Sequence, residues 1–354
     1  MTSVSLGRYR LVEDARLDAR NTFGVAARAP LLVEVADAGV LPELFGYSML
    51  RDGPVLVLGG GSNLLFAGDP PGAVLSLGAQ KIGIVEDDGE CAIVRADAGV
   101  EWHALVLWTL GHGLCGLENL ALIPGTVGAA PIQNIGAYGV EVRDCIHLVE
   151  AFERGSGELR RLDAQACAFA YRDSLFKREP ERFVVTAVEF TLPRVPKLKL
   201  DYVGIADELA AMGIDSSTDS VRASQVAEAV IRIRQRKLPD PAVIGNAGSF
   251  FKNPIVPVAH AEALAAAHPA LPQFRGGSDG TRKLSAAWLI DQCGWKGHRD
   301  GDAGVAATHA LVLVNHGQAT GQQLLDLARR IAASVHERFG VDLEPEPRVI
   351  GATW

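Results

Sequence analysis

The chain has 354 residues and is poor in the groups that build metal and redox centres. It holds five cysteines (Cys91, Cys115, Cys145, Cys167 and Cys293), and no two stand in C-x-x-C spacing. An odd number of scattered thiols fits buried structural residues in a reducing compartment. The nine histidines include no H-x-x-x-H pair, so no bound metal is expected. Basic charge is in deficit too. Lys and Arg number 34 against 42 Asp and Glu, a net charge of −8, which argues against nucleic acid as a partner. No apolar run reaches the roughly 18 residues that a membrane span needs. The first 20 residues mix Arg, Glu and Asp with no apolar core, so no secretory leader is expected and the reading is cytoplasmic.

What the chain has in quantity is glycine. Its 38 glycines and 18 prolines make up roughly a sixth of the residues, which predicts many tight turns and disfavours an all-helical bundle. Short apolar runs at Leu31–Val35, Pro54–Leu58 and Val74–Leu77, each bounded by Gly, Pro or Asp, read as strands. Cys91–Ala98 alternates apolar and polar residues like a half-buried strand. A helix fits Val100–Gly111, and strands follow at Ile146–Glu153 and Arg182–Leu192. Ala166–Ala170 also looks strand-like. Pro193–Lys199 reads as a polar break and a plausible domain boundary. Beyond it, Val226, Val230 and Ile233 have helical spacing until Leu238-Pro239 stops the helix. Ala259–Ala267 and Ser285–Cys293 read as helices and Ala310–Val314 as a strand. Thr320 and Gln323 form a capping box for a last helix that Gly340 ends. The fold class is α+β, with a β-rich front and an α/β tail.

Two segments invite a nucleotide. Val55–Phe66 reads VLVLGGGSNLLF, a strand followed by a turn whose backbone N–H groups suit a phosphate. It lacks the third glycine of the dinucleotide fingerprint and the Lys of a Walker loop, and a plain glycine hairpin fits as well. Asn119–Val140, NLALIPGTVGAAPIQNIGAYGV, is glycine-rich and almost uncharged. It fits a backbone pressed against a large bound group, or tight packing between lobes. Three polar clusters stand out besides: Tyr171-Arg172-Asp173-Ser174, the stretch GNAGSFFKNP around Ser249, and LEPEPR with Glu346 and Arg348. No G-x-S-x-G elbow frames Ser249, which argues against a serine hydrolase.

These motifs, taken with YRDSLFK, KLPDP and AAWLIDQC in the same order, resemble the UDP-N-acetylenolpyruvoylglucosamine reductase family over almost the whole chain. The resemblance implies a vanillyl-alcohol-oxidase-type, two-lobed FAD-binding fold with a C-terminal substrate-binding domain. Residues 1–80 and 81–220 would be the two flavin lobes, with an FAD region of about 24–195, and 221–354 the substrate domain. It also implies non-covalent FAD, NADPH as co-substrate and a UDP-sugar as the substrate; a monomer is the expectation, although the sequence itself is silent on oligomeric state. FAD would be held by Gly59, Gly60, Gly61, Ser62, Asn63, Pro124, Gly125, Thr126, Gly128, Gln133, Asn134, Gly136, Ala137 and Tyr138.

In the implied reaction a hydride passes from NADPH, by way of FAD, to the terminal carbon of the enolpyruvyl alkene. Ser249 would donate the proton, with Arg172 and Glu346 at the carboxylate. A guanidinium suits that role because it grips a carboxylate in a fork and stabilises growing charge. Tyr171, Tyr202, Lys237, Asn253, Lys296 and Arg348 would bind substrate. For Lys296 a plain surface lysine remains an open reading. The segment Pro196–Ser220, with Tyr202, resembles the extra loop of the longer subfamily, whose tyrosine folds over the nucleotide. One departure is Pro347 between Glu346 and Arg348, which removes a backbone donor and predicts a strand-edge position. A flavin oxidase of the same fold is one alternative, although the histidine that often anchors flavin covalently is missing from Gly53–Phe66. A non-catalytic UDP-sugar or FAD module is the other, and the intact Arg172, Ser249 and Glu346 motifs speak against it.

Overall fold

A computed structural model describes residues 3–5, 7–217 and 220–354. Thr218 and Asp219 of the Pro196–Ser220 loop, and Met1, Thr2 and Leu6 of the leader reading, lie outside them. Contacts divide the chain into two compact units. One comprises Met1–Ala15, Ala29–Gly60 and Pro71–Gln235, the other Arg16–Arg28, Gly61–Pro70 and Arg236–Trp354.

The first unit is built on two sheets. A five-stranded mixed sheet runs in the order Ser3–Ser5, Tyr9–Arg16, Arg28–Val35, Ala73–Leu77, Val55–Val57, its last three strands parallel. The other is antiparallel, in the order Glu158–Asp163, Ile146–Glu153, Phe183–Pro193, Cys91–Asp97, Ile82–Asp87. Cys91–Asp97 shows the expected alternation: Ala92, Val94 and Ala96 are buried and the residues between them half-exposed. Phe183–Pro193 is buried on both faces, so it reads as a continuous apolar run. Phe152 and Val184 of this sheet pack into the core of the other, where Phe152 stacks on Phe45 with ring centroids 5.3 Å apart. Trp102 opens the helix Trp102–Gly111 and is buried, edge-on to Phe190, with its indole N–H donating to the Leu120 carbonyl at 2.9 Å. Burying a ring of this kind contributes about 2–3 kcal/mol. Burial also pushes the Cys145 and Cys167 thiols up to about 12, which makes them inert core residues.

The second unit has a four-stranded antiparallel sheet: Gly245–Ser249, Val312–Asn315, Ala303–Val305, Arg299–Asp300. A three-stranded sheet and the helices Val258–Ala267, Ala286–Gln292 and Gly321–Phe339 complete it, with the strand pair Leu64–Phe66 and Arg348–Ile350. Both expected caps form. Ser285 accepts from the Trp288 N–H, Thr320 and Gln323 close a capping box, and Gly340 ends its helix at φ +65°.

Three expectations need correction. Ala166–Ala170 is a run of turns, because Asp163 Oδ1 caps the Ala166 N–H at 2.7 Å and Ala168 takes φ +46°. Pro193–Lys199 ends no unit: Leu198 and Leu200 pack on the first core. Nor do the units divide at residues 80 and 220. The helix Ala223–Lys237 buries Val226, Ala227, Ala229, Val230 and Ile233 in the first core, and two early segments belong to the second unit.

Candidate functional site

In the first unit the two glycine-rich segments meet. A Cβ on Gly59 would stand 2.6 Å from Thr126 Oγ1, and one on Gly60 would stand 3.0 Å from Gly125 Cα. Glycine is required here because the Thr126 side chain fills the space at Gly59 and the Gly125 backbone fills it at Gly60. Among the described residues, the Gly59 and Gly60 N–H groups donate to no protein acceptor. Two consecutive free donors in a side-chain-free turn are an anion cradle. The residues present therefore fit a diphosphate-bearing cofactor such as FAD.

Gly128 is pinned by its N–H to the Ala98 carbonyl, 2.9 Å, and by Ala98 Cβ, which a side chain would strike. Asn134 is fully buried in the left-handed region (φ +47°), and its amide is spent on structure. It donates to Glu141 Oε2 at 3.1 Å and to the Ala170 carbonyl at 3.0 Å, and accepts from the Arg143 N–H at 3.1 Å. Asn134 thus ties the glycine-rich segment to the loop that carries Tyr171 and Arg172.

Arg172 is itself strained, at φ +54°, a conformation that costs a non-glycine residue about 1–3 kcal/mol and concentrates at working sites. Its Nη2 donates to the Gly136 carbonyl at 2.7 Å, its guanidinium lies 5.5 Å from the Tyr171 ring centre, and Lys177 Nζ holds its carbonyl at 3.0 Å. The Ser174 hydroxyl bonds the Ile132 carbonyl at 2.6 Å. The structure thus brings Arg172, Tyr171, Asn134 and Gly136 together.

Tyr138 and Tyr202 meet edge to face, ring centroids 5.1 Å apart, with Tyr202 half-exposed. Asn119, almost completely buried, fastens the same place from below, its Nδ2 donating to the Tyr138 and Lys199 carbonyls, each at 2.9 Å. Motif reading did not single out Asn119. Its partners lie 19 and 80 residues away, so no local pattern marks it.

The second unit assembles the other candidates. Gly61, at φ +63°, packs so closely on the Arg20 carbonyl that a Cβ would overlap it. Asn63 follows: its carbonyl accepts the Arg348 N–H at 3.0 Å and its Nδ2 reaches the Glu346 carbonyl at 3.4 Å. The Glu346 N–H donates to the Phe250 carbonyl at 2.7 Å, and Phe251 bridges Pro345. Ser249 and Glu346 therefore lie on adjoining extended segments. Ser249 is half-buried, behind Gly248 at φ +68°, and its hydroxyl bonds to no protein group among the described residues. Pro347 is buried just before the edge strand Arg348–Ile350. The N–H donors on either side of it remain paired, so the missing donor breaks no ladder.

Asn253 Oδ1 caps the helix Ala286–Gln292 through the Ala286 N–H at 3.0 Å, leaving its Nδ2 without a protein acceptor among the described residues. Lys237 and Lys296 are exposed, and both act on His309, whose pKa is lowered by burial first and then by these two charges. The Leu311 N–H donates to His309 Nδ1 at 3.3 Å, which fixes the neutral tautomer with its proton on Nε2. His309, too, went unnoticed in the motifs. No described group of His, Cys, Asp and Glu is placed to hold a metal, and no described helix is long and apolar enough to cross a membrane.

Residues 29–163 match the family model described as FAD binding domain, and residues 240–350 match that of the UDP-N-acetylenolpyruvoylglucosamine reductase C-terminal domain. Among curated proteins, the UDP-N-acetylenolpyruvoylglucosamine reductase of Xanthomonas oryzae pv. oryzae is 59% identical over 346 residues, 98% of each chain. The one from Xanthomonas campestris pv. campestris is 56% identical over 354 residues, the whole of both chains. Among solved structures, the reductase of the same name from Thermus caldophilus superposes with a TM-score of 0.66 at 28% identity, covering 97% of this chain and 98% of that one.

Proposed function

The chain belongs to the UDP-N-acetylenolpyruvoylglucosamine reductase family, and from that premise we propose that it reduces the enolpyruvyl group of UDP-N-acetyl-3-O-(1-carboxyvinyl)glucosamine to give UDP-N-acetylmuramate for peptidoglycan. NADPH is the reductant, and bound FAD supplies the hydride-carrying chemistry. The free N–H groups of Gly59 and Gly60 would hold the cofactor diphosphate, and the segment from Pro124 to Tyr138 would hold the rest of it. The protein acts as a cytoplasmic monomer, with neither nucleic acid nor membrane as a partner.

The chain's own residues have separable tasks. Arg172 grips the substrate carboxylate in a fork and answers the negative charge that grows there as hydride adds to the alkene. Its strained backbone and its bond to Gly136 hold the guanidinium in one pose. Ser249 gives its hydroxyl proton to the carbon beside the carboxylate. Serine is a weak acid, so the transfer needs a strongly basic carbon and close positioning. Glu346, on the adjoining segment, steadies that proton transfer. Lys237, Lys296, Asn253 Nδ2 and Arg348 meet the diphosphate, while Tyr171 and Tyr202 border the nucleotide.

The observation that supports this reading most directly is the Glu346 N–H···O=C Phe250 bond. It sets the end of the strand Gly245–Ser249 beside the segment that carries Glu346, and the Ser249 hydroxyl bonds to no protein group among the described residues. The test is NADPH oxidation with and without the enolpyruvyl UDP-sugar. Oxidation that depends on the sugar, with acid-released FAD in the supernatant, is expected. Rapid oxygen consumption without the sugar would indicate the oxidase instead. For Ser249→Ala, pre-reduced enzyme should lose about 10² to 10⁴-fold in the substrate half-reaction alone. Wild-type rates there would remove the serine from the mechanism.

A further inference from the structure

The first unit pairs its arginines with care. Arg95, Arg154, Arg161 and Arg182 each reach a carboxylate within 3.3 Å. Arg234, at the inner end of the helix Ala223–Lys237, does not: among the described residues it has no carboxylate partner. Its Nε donates to the Leu122 carbonyl at 3.2 Å, and its other interacting neighbour is the Tyr138 side chain. Both partners are neutral. Desolvation lowers the Arg234 pKa, so the charge sits where water serves it poorly. The nearby ring of His103 gives no anion either. Its Nδ1 accepts the Leu122 N–H at 3.1 Å, and burial leads the causes that hold it neutral.

A cation desolvated without a counter-charge is costly and persists where a ligand supplies that charge. Its place says which ligand. Leu122 (φ +58°) and Tyr138 (φ +49°) both hold left-handed backbones in the glycine-rich segment Asn119–Val140, whose stretch from Pro124 to Tyr138 the proposed function assigns to FAD. The cofactor diphosphate already has the Gly59 and Gly60 donors. Bound FAD gains its other negative charge in the isoalloxazine ring. When NADPH breaks its C4–H bond and the hydride forms an N–H bond on the ring, the added electron pair leaves the N1–C2=O edge anionic. We infer that Arg234 is the cation that answers this charge and so favours hydride uptake from NADPH.

The inference rests on the FAD reading, and the experiment separates the two. Holoenzyme, Arg234→Gln and Arg234→Lys are compared by equilibration with reference dyes and by titration with sulfite, which adds to the flavin as an anion. Arg234→Gln should still purify yellow. Its reduction equilibrium should shift about 10- to 100-fold toward oxidised flavin, each tenfold being about 30 mV for a two-electron couple. Sulfite binding should weaken by a similar factor, and Arg234→Lys should recover most of both. If Arg234→Gln does not fold, the wild type decides. In mildly acidic buffer its equilibrium should change tenfold per pH unit, for one proton per two electrons, and not a hundredfold. Unchanged potential and sulfite affinity in Arg234→Gln would overturn the inference. So would loss of FAD with an unaltered potential in the flavin that remains, since the cation would then serve the diphosphate. Wild-type protein that binds no FAD would instead sink the cofactor reading.

Discussion

Asn119→Leu tests whether one buried amide holds the Tyr202 segment in place. Leucine fills nearly the same volume but leaves the Tyr138 and Lys199 carbonyls without their 2.9 Å donors. A buried acceptor left unpaired costs about 1–3 kcal/mol. Lys199 is exposed, so its carbonyl can recover water once the segment lifts, and the net loss should fall at the low end, about 2 kcal/mol. That amount corresponds to a roughly 30-fold rise in the opening of the segment. Trypsin cleavage after Lys197 and Lys199 reads the opening directly, provided reclosure outruns cutting, and should accelerate by that factor. The melting temperature should drop about 4–8 °C. KM for the UDP-sugar should rise while flavin reduction by NADPH stays close to normal, because Tyr202 borders only the substrate in the proposed mechanism. Unchanged tryptic cleavage after Lys197 and Lys199 would refute the clamp, whatever happened to stability.

Four further outcomes are expected. Arg172→Lys keeps the charge but loses the planar fork, so stopped-flow flavin reduction by NADPH should be nearly normal and reoxidation by substrate much slower; equal losses in both would mark a structural role. Glu153 is held near 2, mainly by hydrogen bonds from Arg160, Arg182 and Ser156. Its contribution is therefore present above about pH 4.5 and lost as pH falls toward 2. Melting curves of Glu153→Gln and wild type should differ at pH 7 and converge by about pH 2, and a constant gap would contradict this. Gly61→Ala pushes a Cβ into the Arg20 carbonyl at φ +63° and should cost about 2 kcal/mol or more. Gly111→Ala, in a helix with nothing within 4 Å, should be neutral or slightly stabilising on the same melting assay.

Local rules carried much of the architecture. The capping box of Thr320 and Gln323, the Ser285 cap, the Gly340 stop and the alternation of Cys91–Asp97 all formed where the sequence placed them, because each depends on neighbours a few residues away. The order of motifs was enough for the family. Ala166–Ala170 misled for the opposite reason. Its apolar composition suits a strand, but one Asp163 carboxylate and two left-handed residues, Ala168 and Arg172, fold it into turns.

Composition by itself determined what the protein lacks: pairs of cysteine or histidine at metal-ligand spacing, a basic excess, and a span-length apolar run. The tertiary structure alone decided which residues keep company. It assigned Arg16–Arg28 and Gly61–Pro70 to the second unit and the helix Ala223–Lys237 largely to the first. It also revealed Asn119, Arg234 and His309, whose partners lie 19 and 80 residues, 112 residues, and two lysines on separate segments away. The physical reason is the range of the forces involved. Caps, turns and periodicity are settled within a few residues of chain, whereas a buried amide or guanidinium is defined by which distant carbonyls and charges the folded chain packs around it.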